Sequence, residues 1–313
     1  MESAASQPRV LVTGASGFTG RYVVQELLAH GWQVSALLQS AATPQESLPA
    51  GVTPLYAHLL DAPAVAAAVR AAQPQAVIHL AAVAFVAHGQ AQDFYQVNLI
   101  GTRNLLAALA ELKRQPARVL LASSANVYGN AAAGRLGEDT PMRPANDYAV
   151  SKAAMEMMAQ LWAPALPLLI VRPFNYTGVG QGEQYLVPKI VAHFRRRAAQ
   201  IELGNLHVWR DFSDVRYVAA VYRRLLQAPM PASGSILNIG SGQLHSLGEI
   251  IEMAQNLTGH TLQVRVNPAF VRANEVRELC ADTTALQAAL GQPPLPPIAL
   301  RDTLAWMLQE TPP

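Results

Sequence analysis

Tyr148 and Lys152 stand four residues apart in the segment Asp147-Tyr-Ala-Val-Ser-Lys152-Ala. On a helix, a spacing of four puts both side chains on one face. A free phenol ionises near pH ~10 and is a poor proton carrier at neutral pH until a nearby ammonium stabilises its phenolate. Lys152 brings that charge. A third polar group, Ser124, follows the apolar run Val119-Leu-Leu-Ala in Ser123-Ser124-Ala-Asn-Val-Tyr128-Gly. A serine at the carboxyl end of a sheet strand lies where ligands bind in open α/β sheets, and its hydroxyl can hold a carbonyl oxygen. Together the three groups suit proton transfer to or from an oxygen on a substrate carbon.

The partner in such chemistry is indicated near the N-terminus. The segment Val10-Leu-Val-Thr-Gly14-Ala-Ser16-Gly17-Phe18-Thr19-Gly20-Arg21 carries three glycines where a first strand ends and a first helix begins. Gly14 permits the tight turn, Gly17 lets the backbone approach a pyrophosphate, and Gly20 allows close helix–strand packing. The helix N-terminus then faces the anion. A dinucleotide site selective for NAD has an acidic residue about twenty positions further on; here that place reads Leu37-Leu38-Gln39-Ser40. With no carboxylate to repel a 2′-phosphate, and with Arg21 and Ser40 in reach, the cofactor is NADP(H) or NAD(H), with NADPH favoured.

These groups require a scaffold. Apolar runs of strand length are predicted at Arg9 to Thr13, Gln33 to Leu38, Thr53 to Ala57, Ala76 to Leu80, Arg118 to Ala122 and Leu168 to Val171. Between them, helical patterns run from Tyr22 to Leu28, Pro63 to Ala72, Phe94 to Leu112 and Asp147 to Leu161. Such alternation predicts a doubly wound parallel sheet, an α/β fold of the Rossmann type, over residues 1–172. After Pro173 the alternation gives way to Gly-, Pro- and polar-rich stretches at Asn175 to Gln184, Leu203 to Arg216 and Pro229 to Leu247. A smaller C-terminal α/β substrate lobe is expected from 173–206 and 241–313, with parts of 207–240 rejoining the first domain. Within this half, a strand is expected at Ile236 to Ile239 and helices at Leu247 to Leu257 and Leu300 to Gln309. Ser246 and Glu249 form a capping box for the first of these helices.

The 313 residues are 51% hydrophobic, enough for a full core, and the formal charge is +2 without a block of like charges. That balance gives no reason to expect nucleic acid or a membrane surface as partner. The single cysteine, Cys280, excludes an internal disulfide and a cysteine-based metal site and fits a reducing compartment. The polar start, Met1 to Pro8, carries no secretory pattern, and no membrane-spanning run is present, so a cytoplasmic location is expected.

The motifs GASGFTG at Gly14, HLAA at His79 to Ala82, Asn98, SSANVYG at Ser123, YAVSK at Tyr148 and RPFNYTG at Arg172 follow one another in the order seen in the extended short-chain dehydrogenases/reductases, which the chain resembles over nearly its whole length. The resemblance implies a Ser124–Tyr148–Lys152 triad. It also implies a cofactor groove lined by the glycine turn from Gly14 to Arg21, by Leu80, Ala81 and Ala82, and by Asn98. Read without it, His79 and Asn98 serve equally well as satisfied core polar residues. One departure is His58-Leu59, where relatives carry Asp-Leu to bind the adenine amino group.

Dehydratases of this family carry Asp-Glu just after the catalytic Ser or Thr, where this chain has Ala125 and Asn126. Without an acid there, elimination of water lacks its proton donor. Simple hydride transfer at C4 of a sugar remains, a ketoreductase reaction. The second lobe resembles the GDP-4-keto-6-deoxymannose reductases at Arg172 to Gln181, Leu203 to Leu206, Arg210 to Val215, and Arg272 with Glu275. That resemblance implies a GDP-linked 4-keto-6-deoxy sugar as substrate, with GDP-D-rhamnose as product and the 6-deoxytalose epimer as an alternative. Arg210 and Arg272 would chelate the diphosphate, Glu275 would accept from ribose hydroxyls, and Asn175 would bridge sugar and phosphate. Asn126, Val187 and Lys189 complete the expected substrate contacts, Lys189 toward the guanine carbonyl or else as a solvated charge. In relatives, the helices at Phe94 to Leu112 and Asp147 to Leu161 build a four-helix bundle between subunits, which implies a homodimer. Two alternatives stay open: a sugar-nucleotide 4-epimerase with tightly bound NAD, and a non-catalytic NADPH-sensing protein on the same scaffold.

Overall fold

The structure, a computed structural model, describes residues 7–40, 48–84, 90–130, 134–229, 231–270 and 276–310. The chain starts with β1 (Arg9–Thr13), α1 (Phe18–Ala29), β2 (Gln33–Leu38), β3 (Thr53–Tyr56), α2 (Ala62–Ala72) and β4 (Ala76–His79). It continues with α3 (Ala91–Tyr95), a π turn (Gln96–Gly101), α4 (Thr102–Ala110), β5 (Arg118–Ala122) and a 3-10 turn (Ala125–Tyr128). Then follow β6 (Gly134–Leu136), α5 (Asp147–Gln160), β7 (Leu168–Pro173), β8 (Asn175–Thr177) and α6 (Leu186–Arg195). The last third holds β9 (Gln200–Leu203), β10 (Trp209–Asp214), α7 (Val215–Gln227), β11 (Ser235–Ile239), β12 (Leu244–Ser246), α8 (Leu247–Thr258) and β13 (Gln263–Val266). A short 3-10 turn (Pro268–Phe270) precedes β14 (Glu278–Ala281), α9 (Thr284–Leu290) and α10 (Leu300–Glu310).

Seven parallel strands form one sheet in the order β11-β7-β5-β4-β1-β2-β3, the doubly wound Rossmann arrangement. Strand order reverses between β1 and β4, and the crevice beyond their carboxyl ends is the ligand-binding place of such sheets. The inner strands read as continuous apolar runs because both faces are covered: β4 and the first four residues of β5 are buried throughout. One face packs on α1, α7 and α9 through Val23, Leu27, Val218, Tyr222, Leu225 and Leu286. The other packs on α2, α4 and α5 through Val65, Val69, Leu105, Leu109 and Met155. Each such side chain, fully buried, stabilises the fold by roughly 1.5–3 kcal/mol in transfer terms.

A second core gathers α6, α8 and α10 over β9 through Val187, Ile190, Phe194, Ile250 and Leu304. The capping box is formed as expected: Ser246 Oγ accepts from Glu249 N at 3.0 Å and Glu249 Oε2 accepts from Ser246 N at 2.8 Å.

Strands β8 and β12 lie in stretches expected to be irregular, and three further features depart from the sequence expectations. The first helix starts at Phe18 rather than Tyr22, directly after the glycine turn. The predicted single helix from Phe94 to Leu112 is instead α3, a π turn and α4. The third is the stretch from Leu203 to Arg216, expected to be irregular, which contains β10 and opens α7, a helix that the polar reading of this region missed. β10 has the sequence Trp-Arg-Asp-Phe-Ser-Asp, so no apolar period marks it, yet Asp211, Ser213 and Asp214 are all buried.

Candidate active site

α5 is set by its first turn. Asn146 caps it, its Oδ1 accepting from Ala149 N at 2.9 Å, and this fixes where Tyr148 leaves the helix. Tyr148 is half-buried, and its hydroxyl sits deep beside Ser124. Burial pushes the phenol well above its usual range, with the Ser124 bond opposing and the neighbouring Tyr176 and Tyr185 adding to the rise. The phenol therefore keeps its proton in the cofactor-free protein.

Ser124 ends the connection from β5 and caps the 3-10 turn. Its Oγ accepts from Asn126 N at 3.2 Å and from Asn126 Nδ2 at 3.1 Å. With two N–H groups on its lone pairs, the hydroxyl proton is left to donate outward, toward the Tyr148 oxygen or a substrate oxygen. Lys152, one turn along α5 from Tyr148, is buried, and its Nζ donates to Ala122 O at 2.7 Å. Burial pulls the ammonium down to about 8, and Glu156 opposes that fall. Ser124, Tyr148 and Lys152 thus converge at the carboxyl end of β5, and Asn126 converges on Ser124.

Behind this corner lies an ordered polar chain. Ala81 N donates to Thr13 Oγ1 (3.2 Å), Thr13 Oγ1 pairs with His79 Nδ1 (2.7 Å), and His79 Nε2 pairs with Thr102 Oγ1 (2.8 Å). Thr102 Oγ1 donates to Asn98 O at 2.7 Å, so it must accept from His79 Nε2–H, which assigns the tautomer. His79 is held neutral, its pKa brought down to about 3 by burial and by Lys152. Asn98 sits on the π turn, where its amide bonds Val83 N (2.9 Å), Val83 O (3.0 Å) and Ser151 Oγ (2.9 Å). Single π turns inside helices recur at functional sites.

The glycine turn fits a dinucleotide. Gly14 has φ +70°, and a Cβ there would lie 2.7 Å from Ala81 N; a Cβ on Gly20 would meet Gly14 O at 2.1 Å. Ser16 and Gly17 are exposed, and no side chain caps α1, so the first N–H groups of that helix point to an open anion cradle. Phe18 stacks on Tyr176, and Thr19 Oγ1 bonds the Tyr176 hydroxyl at 2.8 Å, which ties the turn to β8. Arg21 reaches Gly180 O at 3.4 Å. Leu80, Ala81 and Ala82 are half-buried just past β4, at the edge of the crevice. Where relatives carry Asp, His58 accepts from Leu60 N through Nδ1 at 3.1 Å, leaving Nε2 as the ring atom directed away from this turn. Leu59 is buried beside Gly101.

The expected substrate residues fall into three groups. Asn175 and Arg210 lie close together: Asn175 Nδ2 donates to Asp211 O at 3.3 Å, while Arg210 Nη1 donates to Trp209 O at 2.9 Å. Lys189, in the first turns of α6, donates to Glu202 O at 2.8 Å and stands over the Phe270 ring at 4.8 Å. The Val187 side chain is buried in the second core, so its main chain is the part that can face a ligand. Arg272 and Glu275 lie outside the described residues. Sequence reasoning missed Tyr176, Tyr185 and Glu156. Glu156 left a signal, a lone carboxylate in Ala-Ala-Met-Glu-Met-Met, one turn beyond Lys152 on its face.

Residues 11–295 match the family model for GDP-mannose 4,6 dehydratase. The chain belongs to that family of extended short-chain dehydrogenases/reductases. Among curated relatives, GDP-6-deoxy-D-talose 4-dehydrogenase of Aggregatibacter actinomycetemcomitans is 31% identical over 90% of this chain and 91% of its own. GDP-6-deoxy-D-mannose reductase of Pseudomonas aeruginosa is 32% identical over 96% of each. Among solved structures, a candidate epimerase from Burkholderia cenocepacia J2315 superposes with a TM-score of 0.90 at 50% identity, covering 96% of this chain and 97% of that one. The Pseudomonas aeruginosa protein RMD, complexed with NADPH, gives 0.80 at 29% identity with 96% of each chain covered. Thermus thermophilus UDP-glucose 4-epimerase, complexed with NAD, gives 0.81 at 28% over 96% and 97%. This chain is accordingly an enzyme of an NAD(P)-dependent family of nucleotide-sugar 4-reductases, dehydrogenases and epimerases. No described helix is long and apolar enough to cross a membrane.

Proposed function

We propose that the enzyme reduces the C4 ketone of GDP-4-keto-6-deoxy-D-mannose to GDP-D-rhamnose, with NADPH as the favoured cofactor, in the cytoplasm. The observation that carries this reading is the Ser124–Tyr148–Lys152 corner, in which a buried phenol retains its proton beside a serine with its hydroxyl free to donate. Reduction needs a proton donor for the alkoxide that develops on the sugar, and Tyr148 is in the required state. Ser124 would hydrogen-bond the same oxygen, and the Lys152 ammonium would stabilise the phenolate left behind. When bound, the reduced nicotinamide supplies the hydride. Gly14, Ser16, Gly17, Phe18, Thr19 and Gly20 would hold its pyrophosphate, with Arg21 toward the 2′-phosphate. His58 and Leu59 would lie toward the adenine, Leu80, Ala81, Ala82 and Asn98 along the middle, and Tyr148 and Lys152 at the nicotinamide ribose.

Ala125 and Asn126 supply no acid for elimination of water, which separates this reading from the dehydratase named in the family model. The names of both curated relatives support a GDP-6-deoxy sugar. Arg210, Arg272, Asn175 and Glu275 would hold the diphosphate and ribose, and Asn126, Val187 and Lys189 the sugar and base. A second reading, a 4-epimerase retaining NAD, draws support from the 50%-identical candidate epimerase. We further propose a homodimer through a four-helix bundle. Val150 and Met157 are exposed on one stripe of α5, Leu161 is exposed just past its end, and Ile100 is exposed on the neighbouring π turn.

The test is oxidation of NADPH and of NADH with GDP-4-keto-6-deoxymannose made in place by a dehydratase, the product being assigned by NMR. Stoichiometric NADPH oxidation that is lost in Tyr148→Phe is expected. A protein that oxidises neither cofactor, yet carries bound NAD and interconverts two sugar nucleotides, overturns the reductase reading in favour of the epimerase.

A further inference from the structure

Three successive residues at the end of β5 grip three successive turns of α5. Ala122 O accepts from Lys152 Nζ at 2.7 Å, Ser123 Oγ makes a short hydrogen bond to Glu156 Oε1, and Ser124 faces the Tyr148 hydroxyl. The middle grip involves no reacting group. Glu156 is 1% exposed and is clasped from the far side by Arg172, itself 1% exposed, through Nε (3.0 and 3.2 Å) and Nη2 (2.7 Å). Arg172 is fixed in turn by the Tyr128 hydroxyl (2.9 Å) and Glu138 O (3.1 Å), and Tyr128 by Asn238 Oδ1 at 2.6 Å.

A buried ion pair is weak grounds for stability, because apolar residues of similar size often serve as well or better. Its position suggests another use. Tyr148, Lys152 and Glu156 follow at intervals of four along one face of α5, so the carboxylate is one turn from the lysine. We propose that Glu156 is a positioning residue: locked by Arg172 and Ser123, it supplies the counter-charge for the Lys152 ammonium. This inference rests on the role given to Lys152 above.

The other titratable and charged groups around the lysine do not take that part. His79 from β4 is neutral, Tyr148 retains its proton, and Arg172, bound to Tyr128 and Glu156, is itself a cation. Asp147 is engaged by the Tyr95 hydroxyl at 2.7 Å at the exposed start of the helix. Glu156 also opposes the burial that drives Lys152 toward its neutral form. A neutral amine would lose its hold on a Tyr148 phenolate, so the carboxylate keeps the corner competent at neutral pH.

The chain has three lysines, Lys113, Lys152 and Lys189, which makes the side chain directly observable. In cofactor-free protein carrying 13C at lysine Cε, with Lys113→Arg and Lys189→Arg used for assignment, the Lys152 signal is titrated by NMR in the native chain and in Glu156→Gln. The expected result is a midpoint lowered by about one pH unit, with the alkaline limb of kcat/KM moving down by the same amount. If Glu156→Gln does not fold, Glu156→Gln with Arg172→Gln removes both charges, and a smaller fall in the same direction is expected because the Arg172 cation is gone as well. A folded variant with an unmoved Lys152 midpoint overturns the proposal and leaves the carboxylate a structural clamp. Absence of ketone reduction by the native chain would instead strike the proposed reaction, since the NMR midpoint does not depend on turnover.

Discussion

Asp211 and Lys152 are both buried charged side chains held at strand ends, and the structure treats them in opposite ways. Asp211 is saturated: its carboxylate accepts from Ser241 N (2.8 Å), Ser241 Oγ (2.6 Å), Gly242 N (2.9 Å) and Ala281 N (3.2 Å). These four donors pin β10 to β14 and to the loop after β11, and they leave the carboxylate nothing with which to react. Lys152 has three protons to give and, among the described residues, hydrogen-bonds Ala122 O alone. Burial raises the pKa of Asp211 and lowers that of Lys152, so both sites bear the cost of a desolvated charge. Only the first is repaid in hydrogen bonds. Burial of a polar group therefore does not by itself mark a reactive site; at Lys152 the mark is hydrogen-bonding capacity left open beside Tyr148 and Ser124.

The comparison is tested most severely at the reacting hydroxyl. Tyr148→Phe removes one proton carrier and one hydrogen bond, and kcat is expected to fall about 10²–10⁴-fold with the melting temperature nearly unchanged. Steady-state kinetics beside a thermal melt read both. Asp211→Ala should do the reverse. Four donors lose their acceptor, and at about 1–3 kcal/mol for each buried group left unpaired the loss of stability is expected to exceed about 3 kcal/mol. Urea unfolding measures it. A loss below 1 kcal/mol would mean that water takes over the role of the carboxylate, and the contrast between the two sites would collapse.

Lys152→Met sharpens the contrast through its sign. The ordinary lysine pKa of 10.5 applies to the unfolded chain, and about 8 to the folded one. Below pH 8 both states carry the proton, and the penalty for burying the charge is fully present. Between pH 8 and 10.5 the unfolded chain binds more protons than the folded one, so the stability of the native protein rises with pH. The variant should therefore melt above the native protein at pH 7 while being inactive, and the gap should narrow through that window. Melting curves from pH 6 to about pH 10.5 decide the matter; a variant less stable at pH 7 would show that the lysine is a structural bolt.

The same contrast explains what could be read without the structure. The glycine turn was legible because sterics alone demand glycine where Gly14 approaches Ala81 and Gly20 approaches Gly14. The spacing of Tyr148 and Lys152 was legible because helix geometry fixes it locally. β10 was hidden, since Asp211 and Asp214 read as loop until residues far along the chain arrive to satisfy them, Ser241 N bonding Asp211 at 2.8 Å and Thr303 Oγ1 bonding Asp214 at 2.8 Å. The π turn was hidden for a related reason. Gln96 to Gly101 looks like ordinary helix, and the distortion goes with distant contacts: Asn98 pairs with Val83 and Ser151, while Gly101 packs against Leu59. Glu156 was overlooked because its partner, Arg172, sits on a different element, β7.

The smallest effect separates position from stability most finely. Asn146 and Ser246 each cap a helix through one side-chain oxygen, at 2.9 and 3.0 Å. Replacing either by alanine is expected to cost about 1 kcal/mol, measurable as a shifted urea midpoint with an unchanged slope. Asn146 lies two residues before Tyr148, so fraying there moves the phenol relative to Ser124, whereas Ser246 heads a helix whose buried face belongs to the second core. A small misplacement of a reacting group lowers turnover out of proportion to its stability cost. Equal stability losses accompanied by a severalfold fall in kcat for Asn146→Ala alone are therefore expected. If both variants keep native kcat, the helix end does not position the tyrosine, and the grip of Ser124 on the hydroxyl must do so by itself.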